Sequence, residues 1–281
     1  MKIINTVSDM QAYSRQVKGK KLSIAFVPTL GGLHEGHRAL MRLGKKVGDV
    51  VVVSIFLNPT QFDNKEDLKK YPARREDDLK ACEGEGVDCV FLPSVEEMYG
   101  DDIASQVFDL KGLDKHLCGG KRPGHFQGVV TIVKKLFEAV LPNKAVFGEK
   151  DYQQLQIIRH MVEALHFPIE IIPHPIVREK SGLALSSRNR HLSADEKKEA
   201  LCLYQALKET HQAFKNGEKR AEKLIQTAEG VLRQSKKASV DYIALVDAAT
   251  LQPIATLEKK ALLALAVFIG PVRLIDNVLL E

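Results

Sequence analysis

The chain contains no tryptophan in 281 residues, and aromatic residues reach only 6%. A nucleic-acid binder needs a basic face that also bears aromatic side chains. Here Lys and Arg total 41 against 36 Asp and Glu, a net charge of +5. The excess is scattered in pairs such as Lys45-Lys46, Lys69-Lys70, Lys134-Lys135 and Lys236-Lys237. Such pairs read as solvated helix faces, and no nucleic-acid partner is expected. Cysteine is scarce: Cys82, Cys89, Cys118 and Cys202 show no CxxC spacing. That pattern argues against a disulfide scaffold and suits small core residues in a reducing compartment. Long apolar runs are missing as well. The longest, residues 261–272, is shorter than the roughly 20 residues a membrane-spanning helix needs. Residues 1–10 are polar and mixed, without the apolar stretch of a signal peptide. A soluble, cytoplasmic protein with no membrane partner is the expectation. No Gly-x-x-x-x-Gly-Lys-Ser/Thr or Gly-x-Ser-x-Gly run occurs, which argues against Walker-type ATPases and serine hydrolases of the nucleophile-elbow type. Gly84-Glu85-Gly86 lacks the third glycine of a dinucleotide fingerprint and precedes a strand. There is no internal repeat or low-complexity tract.

What is present is alternation. Apolar runs at 22–27, 50–57, 87–92, 145–147 and 169–177 read as strands. Helical patterns at 33–47, 73–82, 125–140 and 152–165 lie between them. The run at 50–57 is nearly all apolar, as expected of a parallel strand covered on both faces. Repeated β-α-β order implies an α/β fold, a Rossmann-like doubly wound parallel sheet, over residues 1–177. From 178 the pattern changes to a polar loop, a helix at 193–214 opened by Ser193 with Glu196 at the capping-box position, a helix at 220–234, and strands at 240–246, 260–268 and 272–278. Residues 178–281 therefore read as a smaller C-terminal α+β domain.

The chemistry gathers where strands end. Val27-Pro28-Thr29-Leu30-Gly31-Gly32-Leu33-His34-Glu35-Gly36-His37 joins the first strand of the alternation to its helix. A glycine turn opening a helix is a phosphate site in outline, because the first helical N–H groups lack internal partners and the dipole favours an anion. Gly31 and Gly32 admit close approach to the backbone. His34 and His37, spaced i and i+3, would share a helix face and can donate to phosphate oxygens. Gly36 between them would cost roughly 1 kcal/mol against Ala in a helix. A zinc-protease reading needs His-Glu-x-x-His, one residue longer, so no metal site is assigned.

Four other stretches follow. Asn58 and Gln61 place amides beyond the second strand, although Asn58-Pro59 also reads as a plain turn. Arg122 and His125, in Arg122-Pro123-Gly124-His125, suit an anion contact or an ordinary loop. In Gly148-Glu149-Lys150-Asp151, Lys150 could reach a phosphate, while Asp151 also reads as a helix cap. Leu185-Ser186-Ser187-Arg188 can bind polyphosphate, or serve as a serine-rich linker.

His34-Glu35-Gly36-His37 resembles the His-x-Gly-His signature of the HIGH nucleotidyltransferase superfamily. The full string is most similar to the pantothenate synthetases (pantoate–β-alanine ligases, AMP-forming), whose usual form has Met at Leu30 and Val at Leu57. The resemblance covers nearly the whole chain through five motifs in order. It implies ATP-dependent condensation of pantoate with β-alanine to pantothenate, AMP and diphosphate through a pantoyl adenylate. It implies ATP contacts at Leu30, Gly31, Gly32, Leu33, His34, Glu35, Gly36, His37, Gly148, Glu149, Lys150, Asp151, Val177, Leu185, Ser186, Ser187 and Arg188. His34, His37 and Lys150 would stabilise the departing pyrophosphate. Gln61 and Gln154 would contact pantoate, Gln61 also β-alanine, with Asn58, Arg122 and His125 in support. Mg²⁺ on the nucleotide phosphates, a homodimer, and a C-terminal domain that closes as a lid belong to the same implication. Two other classes match parts of the pattern: a nucleotidyltransferase that leaves AMP on its product, and a synthetase-like RNA-binding module.

Overall fold

The computed structural model describes residues 1–61, 74–100 and 107–281. Phe62, the Lys69-Lys70 pair and the start of the helix expected from Ala73 lie outside these residues. Contacts divide the chain into two compact units. The first comprises Met1–Lys111, Arg122–Glu149 and Gln154–Pro175; the second comprises Gly112–Lys121, Lys150–Gln153 and Ile176–Glu281.

The first unit is built on six parallel strands: β1 (Lys2–Ile4), β2 (Ile24–Thr29), β3 (Val50–Ile55), β4 (Cys89–Phe91), β5 (Lys144–Gly148) and β6 (Glu170–His174). Their spatial order is β1-β4-β3-β2-β5-β6. β3, Val-Val-Val-Val-Ser-Ile, is buried at every position, as a strand between two helical layers must be. α1 (Val7–Gly19), α2 (Glu35–Val47), α3 (Arg75–Gly84) and the short α4 (Val95–Tyr99) belong here. On one face, Val27, Val53 and Val146 pack with Met41 of α2 and Ala81 and Cys82 of α3. Alternate residues point to the other face. There Phe26 and Phe147 meet Phe137 edge-on, with centroids 6.2 and 6.5 Å apart.

β2 is one of the two central strands. The chain builds outward from it to β3 and β4, then returns to its other side with β5 and β6. The order therefore reverses between β2 and β5. In open α/β sheets, ligands bind in the crevice outside the strand carboxyl ends at that reversal.

After α5 (Leu117–Lys121), α6 (His125–Val140) and α7 (Tyr152–Ala164), the second unit contains α8 (Ala194–Glu199), α9 (Leu201–Lys215), α10 (Ala221–Leu232) and an antiparallel sheet. That sheet is β7 (Ala238–Asp247), β8 (Ala261–Ile269) and β9 (Val272–Leu280), in sequential order. One face packs Leu263, Leu265 and Val267 of β8 against Leu203, Leu207 and Leu224 of α9 and α10. On the other face, Tyr242 of β7 and Arg273 of β9 meet Cys118 of α5. Gln153, buried, ties the nearby segments together: its Nε2 donates to the carbonyls of Leu113 and His116 (both 2.8 Å) and its Oε1 accepts from Gly119 N (3.2 Å). Two short segments far away in sequence thus join the C-terminal unit, which a single cut between 177 and 178 does not capture.

Other departures are local. β2 runs two residues later than the 22–27 reading, with Leu22 outside it. The helix read as 193–214 is two helices meeting at buried Ala200. β1 and α1 arise from an opening that gave no sequence signal. α1 buries Met10, Ser14 and Val17, and the Ser14 hydroxyl donates to Val140 O at 2.6 Å. The Ser193 capping box forms as read, with Glu196 N donating to Ser193 Oγ (3.2 Å) and Ser193 N to Glu196 Oε2 (2.8 Å). Among the described residues no helix is long and apolar enough to cross a membrane.

Candidate active site

The turn after β2 is built by its own polar groups. Thr29 Oγ1 donates to Ser54 O at 2.7 Å and accepts from Gly31 N at 3.3 Å. Gly31 (φ 86°) and Gly32 (φ 64°) occupy the left-handed region, which explains the paired glycines. The next amides do not await an outside anion. Asp78 of α3, 2% exposed, accepts from Gly32 N through Oδ2 (2.9 Å) and from Leu33 N through Oδ1 (2.7 Å). The amides of Gly32 and Leu33 are thus held by an internal carboxylate. Sequence reasoning missed Asp78, because Arg75-Glu76-Asp77-Asp78 looks like an ordinary acidic first turn.

α2 begins at Glu35, so His34 is its N-cap and lies outside the helix face on which the sequence reading placed it. The two imidazoles form a reciprocal cap. Gly36 N donates to His34 Nδ1 (3.1 Å), and His34 N donates to His37 Nδ1 (3.2 Å). An Nδ1 that accepts carries no proton, so each neutral ring holds its hydrogen on Nε2. The rings lie 4.1 Å apart, centroid to centroid. The backbone thereby sets both histidines as Nε2–H donors, which is the form that binds phosphate oxygen. Gly36 sits in the first turn rather than the helix interior. Glu35 is exposed and its carboxylate pairs with Arg42, while Leu33 belongs to the core and Leu30 is half-buried.

Beyond β3 the amides divide their labour. Asn58 is fully buried; its Nδ2 donates to Gln61 Oε1 and to Gly128 O (both 3.1 Å), and its Oδ1 accepts from Tyr99 OH at 2.6 Å. Burial raises the pKa of the Tyr99 phenol, keeping it a donor. Asn58 is therefore a support for Gln61. Arg122 and His125 act similarly: Arg122 Nη2 donates to Gln61 O (3.1 Å), and His125 Nδ1 lies 2.7 Å from the same oxygen. Arg122 can only donate, so its Nη1 contact with His125 Nε2 (3.2 Å) fixes the Nδ1–H tautomer of His125. Three residues expected in a supporting role thus converge on Gln61, the residue expected to meet pantoate and β-alanine. Gly148 ends β5, Glu149 opens the following 3-10 turn, and Gln154 is half-buried in α7.

In the second unit, Lys150 and Asp151 complete that turn, with the Lys150 ammonium 3.8 Å from the Asp151 carboxylate. Lys150 O accepts from Asn277 Nδ2 at 3.0 Å. The stretch read as a polar loop after 178 is a tight hairpin. Leu185 N donates to Val177 O (2.9 Å), Glu179 N to Leu183 O (2.8 Å), and Arg178 bridges Ala184. Ser186 then caps a 3-10 turn, Ser187–His191, by accepting from Arg188 N at 3.2 Å, and Ser187 is buried. Asn189 donates to Ala184 O, and its Oδ1 is buried without a hydrogen-bond partner among the described residues.

The sheet order and the groups beyond its strand ends define a Rossmann-like α/β protein with its candidate site at the β2–β5 reversal. The family model of pantoate-beta-alanine ligase matches residues 2–279. The pantothenate synthetase of Thermotoga petrophila is 49% identical over 280 residues, covering all of both chains, and that of Caldicellulosiruptor saccharolyticus is 46% identical over 281. Among solved structures, pantothenate synthetase from Thermus thermophilus superposes with a TM-score of 0.91 at 40% identity, covering 99% of each chain. The pantoate-beta-alanine ligase of Francisella tularensis, complexed with beta-gamma ATP and beta-alanine, gives 0.82 at 34%, covering 99% of this chain and 97% of that one. This chain belongs to the pantoate–β-alanine ligase family.

Proposed function

We propose that the chain condenses pantoate with β-alanine at the expense of ATP, giving pantothenate, AMP and diphosphate. Family membership supports the overall reaction, and the observation that carries the site is the reciprocal histidine cap beyond β2. In the first half-reaction the pantoate carboxylate attacks the α-phosphate. It is ionised at neutral pH and needs no base. The protein's task is to align anions and to neutralise the pyrophosphate that leaves. His34 and His37 donate from Nε2, Lys150 adds a point charge, and Ser186, Ser187 and Arg188 add donors. Mg²⁺ enters on the phosphate oxygens as part of the co-substrate. The remaining ATP contacts fall on Leu30, Gly31, Gly32, Leu33, Glu35, Gly36, Gly148, Glu149, Asp151, Val177 and Leu185. In the second half-reaction the β-alanine amine attacks the adenylate carbonyl, the C–N bond forms, the carbonyl–phosphate bond breaks, and AMP leaves as the amine loses a proton. Gln61 and Gln154 orient pantoate, and Gln61 also orients β-alanine. A cytoplasmic homodimer whose C-terminal domain closes as a lid completes the reading.

The test is AMP production from ATP and pantoate, with and without β-alanine. Sustained AMP only with β-alanine, at one diphosphate per AMP, is expected. Diphosphate release without free AMP would instead identify a transferase that leaves AMP on its product.

A further inference from the structure

Asp276 and Asn277 are consecutive in β9, and both are buried. Consecutive strand residues face opposite sides of a sheet. Asp276 pairs with Leu265, on the face packed against the helices; Asn277 pairs with Ala264, on the opposite face. Neighbours on the helical face are Leu274 and Leu280, so an aliphatic residue would fill position 276 at no desolvation cost. A buried Asp-Asn pair calls for another reason.

Each residue grips one of the segments expected to hold ATP. The Asp276 carboxylate takes the Arg178 guanidinium as a two-pronged pair, Nη1 to Oδ2 at 2.6 Å and Nη2 to Oδ1 at 2.9 Å. Arg178 stacks over the Tyr204 ring at 4.7 Å and donates to Gly182 O at 3.1 Å, so it clamps the hairpin that leads into Ser186, Ser187 and Arg188. Asn277 holds the carbonyl of Lys150 at 3.0 Å. Its own N–H donates to Asp276 Oδ1 at 2.8 Å, so the two grips share one carboxylate oxygen.

We propose that Asp276 and Asn277 are positioning residues for the ATP-dependent half-reaction. One strand fixes the spacing between the Lys150 turn and the hairpin preceding 186–188, so that both segments address one polyphosphate. The inference rests on the functional reading above and adds residues to it. Neither touches substrate; both act through the segments they hold.

The test uses the full-length protein and its variants Asn277→Ala and Arg178→Lys, the second keeping the charge while losing the two-pronged geometry. Pantoate-dependent exchange of labelled diphosphate into ATP isolates the first half-reaction. Each variant is expected to slow exchange by on the order of 10²-fold, as misplacement of about 1 Å does. KM for ATP should rise while KM for β-alanine stays within about twofold of the parent value and Tm falls by no more than roughly 4–8 °C. The combined variant should lose less than the product of the single losses, because both grips act through one strand. Parent-like exchange in both folded variants overturns the inference. So does an equal rise in both KM values that follows Tm, which is what a merely structural role gives. Absence of exchange in the parent protein overturns the functional reading itself, and the inference with it.

Discussion

Replacing Asp78 by Asn tests whether the glycine turn is held by an internal anion. The carboxylate accepts two successive buried amides, at 2.9 and 2.7 Å. Asparagine keeps one acceptor oxygen and turns its NH₂ toward the second amide, donor against donor. A hydrogen bond to a charged acceptor contributes about 1.5–3 kcal/mol, and a buried donor left unsatisfied costs about 1–3 kcal/mol. One bond is lost and the other weakened to the neutral kind, so the variant should lose about 2–4 kcal/mol. That is well within the roughly 5–15 kcal/mol of an ordinary domain, so the fold should survive. Urea unfolding followed by far-ultraviolet circular dichroism suits a chain without tryptophan. The midpoint should fall with the slope unchanged, and if the two units unfold separately only the transition of the first should move. Turnover should fall as well, because the turn leads directly into the His34 cap. A variant within about 0.5 kcal/mol of the parent would refute the reasoning, since that is the range of an ordinary surface substitution.

Loss of the His37 ring in His37→Ala should lower turnover by on the order of 10²-fold, by analogy with a removed oxyanion donor, while the fold survives the loss of about 0.5–2 kcal/mol from the cap on His34 N; near-parent turnover would release His37 from its role. Gly182→Ala would drive a Cβ into the Tyr204 ring at φ 100°, so a Tm drop larger than that of an exposed Gly→Ala change is expected in the same scan. Burial pushes the Cys82 and Cys89 thiols up to about 12, from an ordinary 9.0. The unfolded chain then releases protons that the folded chain keeps, so stability should fall as pH rises from about 9 toward 12. In the folded protein at pH 8 both thiols should resist iodoacetamide, and denaturation should expose them; rapid native labelling of either would contradict their burial.

Much of the first unit was legible because its signals are local. Four successive valines in β3 have no stable home other than a strand covered on both faces, and α6 matches the 125–140 pattern at both ends. α1 was hidden because its middle buried position is a serine, satisfied by a carbonyl 126 residues away. His34 escaped notice as a cap because Ser, Thr, Asp and Asn usually fill that position, and only the reciprocal bond with His37 reveals it. Asp78, Asp276 and Arg178 share one difficulty. A charged residue that holds a partner distant in sequence looks in sequence like one that faces water. Asn58, Arg122 and His125 gave no sign in sequence of a shared partner, and only the hydrogen bonds show that all three hold Gln61. Residues 112–121 gave no sign of belonging with the C-terminal sheet, because the contacts of Cys118 with Tyr242 and Arg273 that place them there depend on tertiary structure.

A crystal structure with a non-hydrolysable ATP analogue and Mg²⁺ tests the central claim most directly. The phosphate tail should lie beyond the carboxyl end of β2, with oxygens at about 3 Å from the Nε2 atoms of His34 and His37. A nucleotide bound elsewhere, or phosphates resting on the amides of Gly32 and Leu33 with Asp78 displaced, would contradict it.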